Sequence, residues 1–464
     1  MENKSLHIDQ INKVYFLGVG GIGMSAIARY FLLKGIEVHG YDKTKTPLTE
    51  NLENEGVVIH YNEDPSAIPS DLDLIVYTPA IPSDHMEWDA LRALNIPLMK
   101  RAEVLGIISQ SKRTIAVAGT HGKTSTSSMT TAFLRSAGKD VTGFLGGIVK
   151  DFNSNFVFGE SDWVVVEADE FDRSFMHLRP EICVLLSMDA DHLDIYGDHK
   201  EMLNTFRDFT LQIKENGFLL ISNEIREMIQ GDWKKSLEEK NISIYDFGVN
   251  EGYFKSENLK TTNHAFSFDF NKEGHEVLTT EISMPGKHNV SNATGALGVC
   301  SLLDCDVNKL EEGVRLFKGI KRRFDFIIKS DNQVYIDDYA HHPSELKVAI
   351  QAARDLYPTK KLTAVFQPHL FSRTNDFMAE FAKELAEVDE LILMDIYPAR
   401  EKPMVGVTSK ALSEKIDKEN IPVWSEDEII DFVESEEDRI EVFMTLGAGN
   451  IDRLVKPIKN ILNN

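Results

Sequence analysis

Short apolar runs alternate with amphipathic stretches along most of the 464-residue chain. Runs at residues 14–19, 114–118 and 362–366 are rich in Val, Ile, Leu, Phe and Ala, and each is followed by a glycine-containing or polar turn. Such runs are typical of strands buried on both faces of a parallel sheet. Because helical patterns lie between the strands, the chain is predicted to be α/β, with helices on both faces of its sheets.

The alternation falls into three groups, and a chain of this length agrees with about three domains. The predicted boundaries are 1–110, 111–318 and 319–464. In the middle group, residues 245–282 alternate polar and apolar positions and contain few helix formers. This pattern predicts antiparallel hairpins, a small β-insert beside the parallel sheet of that domain.

Composition narrows the functional classes. The chain has 74 acidic and 50 basic residues and a formal net charge of −24, which argues against non-specific binding to nucleic acid or to an anionic membrane. No apolar run reaches the roughly 18 residues of a membrane-spanning helix, so no membrane insertion is predicted. The three cysteines lack the spacing of a metal site or a disulfide framework, which agrees with a cytoplasmic protein.

Residues 119–125 read Gly-Thr-His-Gly-Lys-Thr-Ser and lie between a predicted strand and a helix predicted over 126–137. In such a turn the backbone N–H groups and the helix dipole face an anion. Lys123 adds a positive charge for the β- and γ-phosphates, and Thr124 adds a hydroxyl for Mg²⁺. The longer P-loop pattern has a glycine where Val117 stands, so this is a shortened form. Binding of ATP or GTP is predicted.

A carboxylate and a histidine are further candidates for the same site. Glu167 and His192 are each predicted just beyond the carboxyl end of a strand, the edge at which open α/β sheets bind ligands. Either side chain can serve Mg²⁺, which takes few protein ligands and keeps several waters. Taken singly, each residue could equally cap the following turn. Taken with Lys123 and Thr124, a ligand role is favoured.

Another glycine loop, the first in chain order, lies near the N-terminus. Gly18, Gly20, Gly21 and Gly23 follow the first strand, and Asp42 closes the second. The pattern is that of a dinucleotide-binding turn whose acidic residue binds a ribose. NAD, FAD and a nucleotide sugar all carry a pyrophosphate that such a turn can approach, so the pattern alone leaves the ligand open.

Polar side chains also follow two strands of the third group. Asp338 and His341 belong to Asp-Asp-Tyr-Ala-His-His-Pro, and His369 and Arg373 follow Phe-Gln-Pro. Adjacent histidines point apart and no third ligand is suitably spaced, so a substrate pocket is favoured over a zinc site. An Arg and a His at a sheet edge suit a carboxylate or phosphate, although Arg373 alone could equally form a surface ion pair.

In order along the chain, these motifs resemble those of the Mur ligases, and the resemblance runs from about Val14 to Asp452. Within the family, the chain is most similar to the members that act on UDP-N-acetylmuramate and L-alanine. The motifs are Gly-x-Gly-Gly-x-Gly-Met, Gly-Thr-His-Gly-Lys-Thr, Glu-Ala-Asp-Glu, Asp-His-Leu-Asp, Gly-x-His-Asn-x-x-Asn, Arg-Arg-Phe, Asp-Asp-Tyr-x-His-His-Pro, Phe-Gln-Pro-His and Gly-Ala-Gly.

The resemblance implies a Rossmann-like N-terminal domain for the UDP-sugar, a central P-loop ATPase domain and a Rossmann-like C-terminal domain for the amino acid. It implies that the first glycine loop faces UDP-N-acetylmuramate rather than NAD. It also implies that ATP activates the sugar carboxylate as an acyl phosphate, which the amine of L-alanine then attacks. ATP and Mg²⁺ are the cofactors implied, and UDP-N-acetylmuramate and L-alanine are the small-molecule partners.

The resemblance also implies a role for each matching residue. The catalytic set is Lys123, Glu167, His192, His369 and Arg373, and the metal ligands are Thr124, Glu167 and His192. The substrate-binding set is Gly18, Gly20, Gly21, Gly23, Asp42 and His341. The ATP-binding set is Gly119, Thr120, His121, Gly122, Lys123, Thr124, Ser125, His288, Asn289, Asn292, Arg323 and Asp338.

Sibling ligases carry a carbamylated lysine where Arg207 stands, so that modification is not predicted here. Two further positions depart from the family pattern, and several functions stay open. Leu370 stands where a basic residue often follows Phe-Gln-Pro-His, and Asn450 replaces the usual aspartate after Gly-Ala-Gly. A ligase that adds an intact tripeptide to the same sugar shares the ATP and sugar sites. An NAD-dependent nucleotide-sugar dehydrogenase would explain the first glycine loop but not Lys123. A regulatory nucleotide-binding module would predict no phosphate release.

Overall fold

The computed structural model describes residues 8–190, 193–262, 265–399 and 401–463. These residues form two compact units, of which the first holds two sheets and the second holds one. Within the described ranges, no helix is both long and apolar enough to cross a membrane. The domain boundaries predicted from the sequence stay predictions.

The N-terminal sheet is parallel throughout, as the alternating pattern predicts. Its strands are β1 (Lys13–Leu17), β2 (Glu37–Tyr41), β3 (Val58–His60), β4 (Leu74–Tyr77) and β5 (Leu98–Lys100), in the order β3-β2-β1-β4-β5. The order reverses between β1 and β4, so their carboxyl ends flank a crevice of the kind that binds ligands. The helices are α1 (Ile22–Leu33), α2 (Pro47–Glu55), α3 (Glu87–Ala93) and α4 (Arg101–Gln110).

The central sheet has ten strands, most of which belong to the same compact unit. They are β6 (Arg113–Ala118), β7 (Thr142–Val149), β8 (Ser154–Val157), β9 (Trp163–Ala168), β10 (Ile182–Leu185), β11 (Phe218–Ser222), β12 (Ser243–Val249), β13 (Phe254–Thr262), β14 (Ala265–Lys272) and β15 (His275–Ile282). Their order is β15-β14-β13-β12-β11-β10-β6-β9-β7-β8. The helices are α5 (Lys123–Ser136), α6 (Leu193–Tyr196), α7 (His199–Thr210), α8 (Gly231–Glu239), α9 (Lys287–Leu302) and α10 (Val307–Leu316).

The predicted β-insert is built as an extension of this sheet. Strands β12 to β15 continue its edge beyond β11, and β12 pairs in parallel with both β11 and β13. The first connection in the insert is therefore not the antiparallel hairpin that alternation predicts. Alternation reports which faces a strand buries, whereas strand direction depends on how the intervening turn runs.

The C-terminal sheet lies in the second unit. Its strands are β16 (Asp325–Lys329), β17 (Val334–Asp338), β18 (Leu362–Phe366), β19 (Glu390–Leu393) and β20 (Val442–Leu446), in the order β16-β17-β20-β18-β19. Only β16 is antiparallel to its neighbour. The helices are α11 (Pro343–Leu356), α12 (Phe371–Asp376), α13 (Met378–Leu385), α14 (Ser409–Ser413), α15 (Glu426–Glu436) and α16 (Val455–Leu462).

Candidate active site

The loop between β6 and α5 has the backbone of an anion cradle. Gly119 and Gly122 both have left-handed backbone, with φ of +138° and +79°. A Cβ at Gly119 would lie 2.9 Å from the backbone nitrogen of Ser187, and one at Gly122 would lie 2.7 Å from Oδ1 of Asn292. Both positions therefore require glycine. Helix α5 begins at Lys123, three residues earlier than predicted, so its first N–H groups lie within the loop motif.

The end of the neighbouring strand β10 anchors this loop. The hydroxyl of Ser187 lies 2.9 Å from Oγ1 of Thr120 and accepts a hydrogen bond of 2.9 Å from the N–H of His121. Thr120 Oγ1 in turn accepts from the N–H of Asp189. The His121 ring lies 3.6 Å from the Asp189 carboxylate. Thr120 and His121 are thus held by Ser187 and Asp189, two residues outside the loop motif.

Lys123 points back over the loop to which it belongs. Its Nζ donates to the carbonyl oxygens of Gly119 at 2.7 Å and Thr120 at 3.2 Å. It also donates to the Glu170 carboxylate, whose oxygens lie 2.8 and 2.9 Å away. The ammonium group is thereby fixed above the cradle, with most of its side chain buried. A positive charge held there suits an anionic ligand bound at the helix N-terminus.

Glu170 is the main site residue that sequence reasoning missed. Its side chain is only 1% exposed and pairs with Lys123. Burial raises the pKa of the Glu170 carboxyl to about 7, although the Lys123 charge opposes that rise. Its membership of the Glu-Ala-Asp-Glu motif was the available signal. The periodicity of the chain gave no reason to distinguish it from Asp169.

Thr124 and Glu167 come together as predicted. The Thr124 hydroxyl donates to Oε1 of Glu167 at 3.1 Å, and Oε2 accepts from the N–H of Gly146 at 3.0 Å. The sequence placed Glu167 beyond its strand, which is wrong: it is the fifth residue of β9 and lies opposite Val117 of β6. Its carboxylate reaches the loop because β9 pairs directly with β6.

This pair of oxygen donors fits a hard divalent cation. Mg²⁺ prefers carboxylate and hydroxyl oxygens, keeps several waters and takes further oxygens from bound phosphates. Within the described residues, no group of three or more His, Cys, Asp or Glu side chains could hold a metal ion. His192 lies outside those residues, so its assignment as a metal ligand stays a prediction.

The first glycine loop differs from the phosphate loop in its contacts. The Asp42 carboxylate accepts from the N–H of Gly20 at 2.8 Å, so it holds the loop itself. A Cβ at Gly20 would lie 2.7 Å from Asp42 Oδ2, and one at Gly23 would lie 2.7 Å from Nη1 of Arg101. Arg101 also pairs with Asp169 at 3.4 Å. A guanidinium therefore lies beside a glycine loop with little free space, a combination that suits a pyrophosphate.

The predicted residues of the C-terminal unit form a separate histidine cluster. The rings of His341 and His369 lie 5.8 Å apart, and His369 stacks on Tyr397. Burial lowers the pKa of His369 to about 4, helped by His341 and Arg373, so its ring is neutral at pH 7. The adjacent His342 caps α11 instead. The expectation that the two neighbouring histidines point apart agrees with this arrangement.

Other predicted residues are placed as follows. Asp338 ends β17, and its carboxylate accepts from the N–H groups of Phe324 and Ala340; burial raises its pKa to about 6. Arg323 lies over the Tyr339 ring, with 5.2 Å from its guanidinium carbon to the ring centre. The ring of His288 is buried, which lowers its pKa to about 4. The remaining positions lie on α5 and α9: Ser125, Asn289 and Asn292.

The two departures from the family pattern have different surroundings. Leu370 has φ of +69° and precedes α12, a conformation that costs energy for a branched side chain. Asn450 accepts from Gln367 at 2.8 Å and donates to Glu426 at 2.9 Å. An amide can make both bonds, whereas an ionised aspartate could only accept. The amide at position 450 thus has a structural reason, and nothing in the structure explains Leu370.

Comparison with known proteins matches all three sheets to one family. The Mur ligase family catalytic domain matches residues 13–113, the Mur ligase middle domain matches 117–300, and the Mur ligase glutamate ligase domain matches 322–453. These matches together cover most of the chain.

Individual relatives are similar along almost their whole length. The chain is 42% identical to a UDP-N-acetylmuramate--L-alanine ligase from Christiangramia forsetii, over 98% of both chains. It is 44% identical to one from Parabacteroides distasonis, again over 98% of both. Among solved structures, the UDP-N-acetylmuramate-alanine ligase of Thermotoga maritima superposes with a TM-score of 0.81 at 27% identity, covering 97% of this chain and 98% of that one.

Proposed function

This chain belongs to the Mur ligase family, and from that premise we propose that it joins the amine of L-alanine to the carboxylate of UDP-N-acetylmuramate in an ATP-dependent reaction. The observation that carries the proposal is the identity of 42–44% to relatives named for this reaction, over 98% of both chains. The products are ADP, phosphate and the alanyl sugar nucleotide, a precursor for peptidoglycan synthesis.

The reaction needs activation because a free carboxylate would have to expel oxide. Transfer of the γ-phosphoryl group from ATP to the carboxylate forms an acyl phosphate, whose leaving group is phosphate. The amine attacks the carbonyl carbon, and the tetrahedral intermediate expels phosphate. Such a phosphoryl transfer depends on positioning and charge stabilisation more than on covalent help from the protein.

The phosphate loop supplies those two requirements. In the proposal, the N–H groups at the start of α5 bind the phosphates, and the Lys123 ammonium neutralises their charge. Its hydrogen bonds to the Gly119 and Thr120 carbonyl oxygens orient Nζ over the loop. In its ionised form, the Glu170 carboxylate raises the pKa of Lys123 and opposes the cost of burying the ammonium charge.

Thr124 and Glu167 would hold Mg²⁺, with their oxygens 3.1 Å apart. When bound, the ion would supply charge stabilisation to the transferred phosphoryl group. The contact between Gly146 and the Glu167 carboxylate orients that carboxylate toward Thr124. His192 is proposed as a further ligand because its motif matches the family.

Recognition of the UDP-sugar and of the amino acid is assigned to residues of the two other sheets. The first glycine loop, with Asp42 holding Gly20, is proposed to approach the pyrophosphate of the UDP-sugar. His341, His369 and Arg373 are proposed to contact the amino-acid and carboxylate groups. A neutral His369 ring keeps one nitrogen that can accept a hydrogen bond from a substrate group, whereas a protonated ring could only donate.

One assay tests the reaction. Phosphate release from ATP is measured with UDP-N-acetylmuramate and, in turn, L-Ala, Gly, L-Ser and L-Ala-γ-D-Glu-meso-diaminopimelate. Turnover with L-Ala is expected, together with formation of the alanyl sugar nucleotide by mass spectrometry. Turnover with only the tripeptide would replace the proposal by the tripeptide ligase. Absence of turnover with every acceptor would point to a nucleotide-binding module.

A further inference from the structure

The two cysteines at the carboxyl end of α9 lie outside the proposed active site. Cys300 is fully buried on the last turns of the helix, and Cys305 is partly exposed just after it. Neither belongs to any motif used above. The third cysteine, Cys183, is buried in β10 and serves as an internal reference.

The end of α9 has the hydrogen bonds of a Schellman motif. The N–H of Cys305 donates to the carbonyl of Cys300 at 3.1 Å, and the N–H of Asp304 donates to the carbonyl of Ser301 at 3.3 Å. Asp304 has the left-handed backbone that this motif requires, with φ of +49°. In a Schellman motif the side chains at these two cysteine positions usually contact each other. The turn therefore brings the two thiols together.

The next helix holds this turn from the other side. Asp306 caps α10, since its carboxylate accepts from the N–H of Asn308 at 2.9 Å and of Lys309 at 3.4 Å. Cys305 is thus fixed between a helix end and a helix start. Standard bond lengths and the 3.1 Å hydrogen bond keep the two cysteine Cα atoms within about 7 Å. That limit overlaps the separation of about 4.4–6.8 Å at which a disulfide closes.

The two thiols are chemically unequal. The pKa of Cys305 is lowered, chiefly by a hydrogen bond from Cys300 and then by the Lys139 charge, against burial and Asp304. Burial raises the pKa of Cys300. A thiolate is the nucleophilic form of cysteine, so Cys305 is the thiol that reacts first with an oxidant in solution.

We propose that Cys305 and Cys300 form a dithiol site that reduces hydroperoxides and closes to a disulfide. The Cys305 thiolate attacks the O–O bond, an S–O bond forms, and hydroxide leaves and takes a proton to become water. The Cys300 sulfur then attacks the Cys305 sulfur, the S–O bond breaks, and the Cys300 proton leaves with the hydroxide as water. Two thiols lose two electrons, and one hydrogen peroxide becomes two waters.

The test treats the reduced full-length protein with one equivalent of hydrogen peroxide. Both cysteines lie on one tryptic peptide, because Lys287 and Lys309 are the nearest cleavage sites. That peptide is expected to lose the mass of two hydrogens and to resist alkylation until it is reduced. The Cys183 peptide is expected to stay a free thiol. A fully reduced peptide, or a disulfide between two chains on a non-reducing gel, would overturn the proposal.

Variants separate the two roles. C300S keeps a hydroxyl that can donate a hydrogen bond to the Cys305 sulfur but cannot close a disulfide. It is expected to keep Cys305 as a sulfenic acid that dimedone traps, at a yield about tenfold above that of the wild-type protein. C305S is expected to leave Cys300 reduced, since a buried thiol reacts slowly. C183S is the matched control and should form the disulfide normally. Equal trapping by dimedone in wild type and C300S would contradict the resolving role of Cys300. If C300S does not fold, C305S and the wild-type peptide still decide the outcome.

Discussion

The two glycine loops of the first unit share a strand, a tight turn and a helix start, yet different side chains surround them. At the loop before α5, Lys123 and Thr124 bring a cation and a hydroxyl onto the cradle, and carboxylates of β9 and its following turn meet them. At the loop before α1, Asp42 binds the loop backbone and no lysine follows the glycines. The difference teaches that the glycines create the cradle, whereas the neighbouring side chains select the ligand.

The largest expected effect comes from removing the Lys123 ammonium group from the phosphate loop. We expect Lys123→Ala to lower kcat for phosphate release at least about 1000-fold, since the charge on the transferred group loses its fixed partner. UDP-sugar binding, measured by calorimetry, should stay intact because the first loop is untouched. Lys235→Ala, at an exposed lysine of α8, is the control. Loss of both phosphate release and UDP-sugar binding would mean that the two loops form one site.

The second-largest effect is expected from a change at Glu167, the carboxylate on β9. Glu167→Gln keeps the shape of the side chain and its contact with Gly146 but loses the charge that a divalent cation needs. We expect about 100-fold lower activity at limiting Mg²⁺, partly recovered at high Mg²⁺. A titration of initial rate against Mg²⁺ measures this. Glu160→Gln, at an exposed position before β9, should leave the curve unchanged; an identical curve for Glu167→Gln would remove it from the metal site.

Gly146 tests whether backbone contact orients that carboxylate. A Cβ at position 146 would lie 2.2 Å from Oε2 of Glu167, so the carboxylate must move. We expect Gly146→Ala to lower activity about tenfold and the free energy of unfolding by about 1–3 kcal/mol. Thermal unfolding and the Mg²⁺ titration measure the two effects. Gly35→Ala has open space but a φ of +79°, so it should lose stability without changing the Mg²⁺ dependence.

Asp42 sharpens the account of the first cradle. Asp42→Asn weakens the hydrogen bond to the N–H of Gly20 and leaves the phosphate loop unchanged. We expect KM for the UDP-sugar to rise by about three- to tenfold, with kcat and the KM for ATP nearly unchanged. Steady-state kinetics in both substrates measure this. Asp89→Asn, at a fully exposed position on α3, is the control. A raised KM for ATP would contradict the separation of the loops.

The smallest effect concerns the pH dependence of stability. Glu170 has a folded-state pKa of about 7, raised by burial from 4.5, so the folded chain holds a proton that the unfolded chain releases. Its contribution to stability is therefore present below pH 4.5 and is lost as pH rises toward 7. We expect Glu170→Gln to lack this loss. Between pH 4.5 and pH 7, the unfolding midpoint of Glu170→Gln should therefore rise relative to that of the wild-type protein as pH rises. A shift in the opposite direction would mean that the Lys123 charge dominates.

Much of the fold and part of the site follow from local patterns. The strands Arg113–Ala118 and Leu362–Phe366 lie where apolar runs predict them. The Lys-Thr pair after a glycine turn predicted the phosphate loop. The prediction correctly brought the Glu167 carboxylate to the loop before α5. It placed the end of the strand too early, because β9 extends two residues beyond its last valine. Propensity cannot report where hydrogen-bonded pairing with β6 ends.

The sequence by itself determined which residues carry charge, which turns need glycine and in what order strands and helices follow one another. Only the tertiary structure decided that Glu170 reaches Lys123 and that Gly146 orients Glu167. The physical reason is that periodicity records which face of an element is buried. Contacts between elements depend on strand order, register and the geometry of helix ends, and these arise only when the whole sheet assembles.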